Sequence, residues 1–207
     1  MKISVSYLSS KFDKKTTLKK IENSSADFVH VDLMDGKYVE NKNFTINEVI
    51  NNLKNIHLPL DMHLMVNNPD KYIEKFSILN LEYITFHPSA SKNILKTIEL
   101  IRNIGVNVGI AINPDEDIHI IDEYLDKIDL VLVMSVVPGR GGQKFIDDVV
   151  HKLDYLKDFD VIVSIDGGIN DESIKLLENK KIDILVSGSY ICNSDNFDEQ
   201  IKKIRII

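Results

Sequence analysis

The segment Phe28-Val29-His30-Val31-Asp32-Leu33-Met34-Asp35-Gly36 carries the reading of the fold. Successive side chains of a strand point to opposite faces. Val29, Val31 and Leu33 therefore share one face, and His30, Asp32 and Met34 share the other. A short, mostly apolar run of this kind, ended by glycine, is expected of a parallel strand buried on both sides.

Runs of the same type recur along the chain. Residues 3–7, 28–33, 60–65, 83–86, 106–112, 130–136, 161–165 and 182–186 make eight candidate strands. Between them the apolar residues take helical spacing, as at Ile46, Val49, Ile50 and Leu53, at Ile94, Ile98 and Ile101, and at Ile174 and Leu177. Asp115 and Asp171 stand where helix N-caps are expected, and Gly105 where a helix stops. Strand then helix, about eight times over, predicts one α/β domain over residues 1–207, a single (β/α)8 TIM barrel. An open doubly wound sheet is the alternative. It would usually carry a glycine-rich turn after its first strand, and Ser6-Tyr7-Leu8-Ser9-Ser10 has no glycine.

Composition narrows the class of partner. Of 207 residues, 43% are hydrophobic, enough for a substantial core. The formal net charge is −7, and no Lys/Arg cluster marks a nucleic-acid-binding face. No apolar run reaches the length of a membrane span. The single cysteine, Cys192, allows no internal disulfide, and the first residues lack the apolar core of a signal peptide. A cytoplasmic protein that binds neither nucleic acid nor membrane is expected.

In a barrel of this type the chemistry sits at the C-terminal ends of the strands. His30, Asp32 and Met34 lie towards the end of the second strand, His63 and Met65 at the end of the third, and Asp166 at the end of the seventh. A lone histidine in a strand is more often a satisfied core residue, and a strand-end aspartate more often a helix cap. Together, two His and two Asp at one end of a barrel form a mixed N/O donor set suited to Zn²⁺, Mn²⁺ or Fe²⁺. Glycine clusters follow the last three strands: Pro138-Gly139-Arg140-Gly141-Gly142-Gln143, Asp166-Gly167-Gly168 and Ser187-Gly188-Ser189. Loops after the seventh and eighth strands of a barrel commonly hold a phosphate through backbone N–H groups and a helix N-terminus. His87, in Phe86-His87-Pro88, borders this end and reads as structural. His57, His119 and His151 read as solvated.

These segments, in this order, are similar to those of the ribulose-phosphate 3-epimerase family. The matching stretches are 3–10, 30–36, 61–66, 85–88, 129–145, 166–170 and 187–189. The most specific are His-Val-Asp-x-Met-Asp-Gly at 30–36 and Leu132-Val133-Met134-Ser135-Val136, which leads into Pro138-Gly139 and Gly141-Gly142-Gln143-Lys144-Phe145. The resemblance implies a barrel of the ribulose-phosphate binding type. It implies an isomerase that interconverts D-ribulose 5-phosphate and D-xylulose 5-phosphate in the pentose phosphate pathway, using one divalent metal ion (Zn, Fe, Mn or Co). His30, Asp32, His63 and Asp166 correspond to the metal ligands, with Asp32 and Asp166 also the acid/base pair. Ser6, His63, Gly139, Arg140, Gly141, Gly142, Gly167, Gly168, Gly188 and Ser189 fall at substrate-binding positions. Met34, Met65 and Met134 match methionines that line the family's site. A small ketose phosphate is the expected partner, and a homo-oligomer the expected assembly.

The chain departs from the family's usual pattern at Val5, Glu40, Val137 and Arg140, none of them a proposed ligand. An epimerase of a six-carbon ketose phosphate, such as allulose 6-phosphate, is the nearest alternative. That group often departs from the glycines that this chain keeps after its sixth and seventh strands. A decarboxylase or lyase on the same barrel would carry Asp-x-Lys-x-x-Asp, whereas Asp35-Gly36-Lys37-Tyr38-Val39-Glu40 ends in glutamate and leaves His30 and His63 without a role.

Overall fold

The computed structural model describes residues 1–205. Eight parallel strands close in sequence order into a barrel. They are β1 (Lys2–Ser6), β2 (Phe28–Met34), β3 (Leu60–Met65), β4 (Leu81–Phe86), β5 (Asn107–Ile112), β6 (Leu130–Met134), β7 (Ile162–Asp166) and β8 (Ile184–Ser187). The eight runs read from the sequence all become strands, with ends displaced by up to two residues. The sixth stops short of Val136. There the Ser135 hydroxyl donates to the carbonyls of Asp166 and Gly167 and draws the chain out of the ladder.

Helices α1 (Lys14–Glu22), α2 (Ile46–Leu53), α3 (Asp70–Ile73), α4 (Ile94–Asn103), α5 (Val150–Leu156), α6 (Ser189–Cys192) and α7 (Phe197–Ile204) surround the barrel. Local chemistry sets where they begin. Thr45 and Glu48 form a reciprocal capping box on α2, satisfying N–H groups that the first turn leaves free. Gly105 follows α4 with φ +76°, as a helix stop requires.

Two expected caps are corrected. Asp117, not Asp115, caps the segment after β5, its carboxylate accepting from His119 N. After β7, Asn170 rather than Asp171 accepts from Glu172 N and Ser173 N. Both segments, Ile118–Tyr124 and Ser173–Leu177, are 3₁₀ rather than α-helical. Short polar side chains cap whichever orphan N–H groups the turn brings within reach, and the exact turn is not encoded in the spacing.

Apolar packing forms two layers. The larger fills the space between strands and helices. The smaller includes Phe28, Tyr83, Leu130, Leu132, Met134, Ile184 and Val186, the inward-facing alternates of their strands. Towards the C-terminal ends of β1 to β3 this lumen turns polar. Ser4, Ser6, His30, Asp32, Asp61 and His63 are all buried there.

Candidate active site

Strand register assembles the polar lumen. In the β2–β3 pairing, His30 lies opposite Asp61, Asp32 opposite His63, and Met34 opposite Met65. In the β6–β7 pairing Met134 lies opposite Asp166. The period of two keeps each set on one face, so the lumen receives a ladder of His, Asp and Met from neighbouring strands.

His30, Asp32, His63 and Asp166 come together as expected, with one potential ligand atom from each within 4.8 Å of the others. His30 Nε2 and His63 Nδ1 each lie 3.2 Å from Asp32 Oδ1. Each lies 3.9 Å from Asp166 Oδ2. Both rings are wholly buried. Among the described residues, His30 Nε2 has no hydrogen-bond partner. An unpartnered buried nitrogen facing two carboxylates is costly in itself. With His63 Nδ1 it completes an N₂O₂ donor set, and that set fits a divalent cation of the Zn, Mn or Fe type.

The electrostatics of the cluster agree. Burial opposes charge on His30, but Asp32 and Asp61 outweigh it and hold the imidazole well above its usual range. Burial likewise opposes charge on Asp32, and His30 and His63 outweigh it, holding that carboxyl well below its usual range. Asp166 goes the other way, pushed up to about 6 by burial and by the neighbouring Asp32. The cluster is a place where positive charge is strongly favoured.

Several residues that sequence reasoning missed hold it in place. Asp61 Oδ2 lies 2.8 Å from His30 Nδ1 and accepts from Ser4 Oγ. Its signal was its position two residues before His63, on the same strand face. His87, read as structural, places Nε2 2.9 Å from His63 Nε2. Burial and His63 keep its pKa well below the usual range, so its ring is neutral. His57, His119 and His151 are exposed, as expected.

A cavity of about 310 Å³ opens above the cluster. Its floor includes Asp32 and Asp166, and Met34, Met65 and Met134 contribute apolar wall. Ser6, which also lines it, donates through Oγ to Asp32 Oδ2 at 2.7 Å. The opposite wall is the glycine set: Gly139, Gly141 and Gly142 with Arg140, then Gly167, Gly168, Gly188 and Ser189. Thus every expected substrate-binding residue except the deeper His63 lines this one cavity. Gly141, Gly167 and Gly168 of this wall leave no room for a Cβ, and on Gly167, at φ +120°, it would stand 2.4 Å from a Val136 methyl. A Cβ on Gly141 would stand 1.9 Å from Ser9 Oγ. One on Gly168, at φ +65°, would stand 2.4 Å from Phe145 N. Ser9 was not anticipated as a lining residue. The loop after β2 reaches the glycine wall from outside the cavity, where Asn41 Nδ2 donates to Gly139 O. Cys192 is buried and its thiol is pushed up to about 12 by that burial, which leaves it without nucleophilic chemistry.

Comparison with known proteins places this site in context. The model of the ribulose-phosphate 3 epimerase family matches residues 2–192. The ribulose-phosphate 3-epimerase of Helicobacter pylori strain J99 is 40% identical over 205 residues, covering 94% of this chain and 92% of that protein. The enzyme of the same name from Buchnera aphidicola subsp. Baizongia pistaciae is 39% identical, covering 88% and 84%. Among solved structures, that of KGPDC from Streptococcus mutans superposes with a TM-score of 0.73. It is 13% identical and the match covers 99% of this chain and 95% of that one, a likeness of fold alone.

Proposed function

The chain belongs to the ribulose-phosphate 3-epimerase family, and from that premise we propose how this isomerase inverts C3 as it interconverts D-ribulose 5-phosphate and D-xylulose 5-phosphate. The observation that carries the reading is the pairing of Asp32 and Asp166. Two carboxylates face one buried histidine pair at the floor of one cavity. Their environments push their proton affinities in opposite directions. Such a split is how a site assigns acid and base roles to chemically identical groups.

C3 of the ketose lies beside the C2 carbonyl, and its proton is too weak an acid for an unaided carboxylate. His30, Asp32, His63 and Asp166 are the residues that would hold a divalent cation. Bound there, it supplies Lewis-acid polarisation of the carbonyl and charge to offset the enediolate. One aspartate removes the proton from one face of C3. The other delivers a proton to the opposite face, and the centre inverts. The roles exchange when the reaction runs in reverse. Ser6 holds the Asp32 carboxylate in one orientation through its hydrogen bond. The methionines exclude water from the planar intermediate. The phosphate is assigned to the glycine wall, where bare backbone can approach it and Arg140 adds a cation.

No helix among the described residues is long and apolar enough to cross a membrane. A cytoplasmic homo-oligomer is the form in which this reading expects the enzyme to work. The test pairs metal analysis of the purified protein with epimerisation assays on pentose and hexose ketose phosphates. One divalent ion per chain and preference for the pentose are expected. Full activity in rigorously metal-free protein would remove the metal from the scheme, and faster turnover of a hexose phosphate would reassign the substrate.

A further inference from the structure

We infer that His87 is a positioning residue for the metal centre: its Nε2 accepts a hydrogen bond from His63 Nε2–H, which leaves His63 Nδ1 bare towards the cation. The inference rests on the reading of the His/Asp cluster as a metal site. The two Nε2 atoms are 2.9 Å apart, and both rings are fully buried. At that separation one nitrogen must carry the proton and the other must accept it. A His63 ring that binds a cation through Nδ1 has its proton on Nε2, so His87 is the acceptor.

The two histidines of the cluster are turned in opposite senses. His30 directs Nδ1 backwards to Asp61 and Nε2 forwards to the cluster. His63 directs Nε2 backwards to His87 and Nδ1 forwards. A ligating imidazole usually has such a partner behind it, which sets tautomer and ring orientation. The choice of partner follows from charge. Asp32, Asp61 and Asp166 already crowd this part of the lumen. An imidazole orients His63 without adding a fourth carboxylate.

His87 is itself held for this task. Its Nδ1 has no partner among the described residues, so the bond to His63 is the ring's one polar contact. Burying an imidazole for a single hydrogen bond contributes little to stability, which places its value in the site. The Tyr38 ring lies against it, centroids 4.8 Å apart at 36°. Tyr38 OH accepts from Asn113 Nδ2 and shares a hydrogen bond with Ser89 Oγ. The Asn113 carbonyl in turn accepts from buried Lys152. The loops after β2, β4 and β5 thus lock the ring from behind.

The experiment measures Co²⁺ affinity by chelator competition, together with the visible spectrum of the Co²⁺ site, in wild type, His87→Leu and His87→Gln. Leucine fills the space without an acceptor. Glutamine returns an amide oxygen near the position of Nε2. Loss of an outer partner costs roughly 10–100-fold in metal affinity, so His87→Leu is expected to weaken by that factor with an altered spectrum. His87→Gln is expected to bind within about threefold of wild type, the acceptor bond being kept. Equal binding by wild type and His87→Leu would overturn the inference, as would a glutamine variant as weak as the leucine one. Should His87→Leu not fold, ¹⁵N-histidine spectra of the zinc-loaded wild type decide. A proton on His63 Nε2 supports the inference, and one on Nδ1 overturns it. If the wild type takes up no Co²⁺ at all, it is the metal reading that fails, and the inference with it.

Discussion

Asp32 and Asp166 face the same two imidazoles at unequal range: Asp32 Oδ1 is 3.2 Å from both His30 Nε2 and His63 Nδ1, and Asp166 Oδ2 is 3.9 Å from both. The closer carboxylate is held in the charged form by the histidines, although burial opposes it. The farther one receives less of that stabilisation and feels the charge of the first. Position alone therefore makes two identical side chains unequal.

Asp32→Asn and Asp166→Asn are each expected to lose most activity, because inversion needs a proton transfer on both faces. A general acid or base typically contributes 10²–10⁴-fold, and each change also removes a negative charge from the cation site. In the wild type, solvent deuterium should enter substrate or product at C3. Unlabelled turnover, once internal return of the proton is excluded, would count against two opposed bases.

Arg140 lines the glycine wall and is exposed. The phosphate lies away from C3 and keeps its charge through the reaction. An arginine that grips it stabilises ground and transition states alike, so Arg140→Ala and Arg140→Phe should raise KM and leave kcat nearly unchanged. Steady-state kinetics at low and moderate salt check this. An unchanged KM in both variants would place the guanidinium in solvent, where a charge contributes about 0–1 kcal/mol.

Lys152 is 1% exposed and donates to the carbonyls of Asn113, Pro114 and Glu116. All three ammonium protons are used within the loop after β5. Lys152→Met keeps the side chain out to Cε but strands three carbonyls, and hydrogen bonds to a charged group contribute about 1.5–3 kcal/mol. A drop of several degrees in Tm is expected from calorimetry. A variant that melts with the wild type would mean that water takes over the three carbonyls.

Cys192 should be silent to thiol reagents in the native protein. Its pKa is raised to about 12, so the thiolate fraction at pH 8 is negligible and grows only near that value. The expected result is no colour with a disulfide reagent at pH 8, then one equivalent released in guanidinium. Rapid labelling of the folded protein would reveal opening of the segment around α6.

The alternation at 28–34 is a local property, with a period of two, and it alone assigns His30, Asp32 and Met34 to one face. The same holds for His63 and Met65, and the recurrence of such runs, with helices between, is enough for the barrel. The barrel then says at which end to look, so the candidate ligand set and the glycine loops could be named before any distance was known. The partners behind the ligands could not. Asp61 reaches His30 across 31 positions of sequence, and His87 reaches His63 across 24. Both pairings come from the lateral register of neighbouring strands, β2 beside β3 and β3 beside β4. Periodicity orders side chains along a strand and is blind to which residue of the next strand lies beside them. The caps at Asp117 and Asn170 escaped for a related reason. A cap is chosen by the turn that forms, within one or two residues, among several side chains able to serve. Ligand type is thus written along the chain, whereas the direction in which each imidazole is turned depends on neighbours that only the closed barrel supplies.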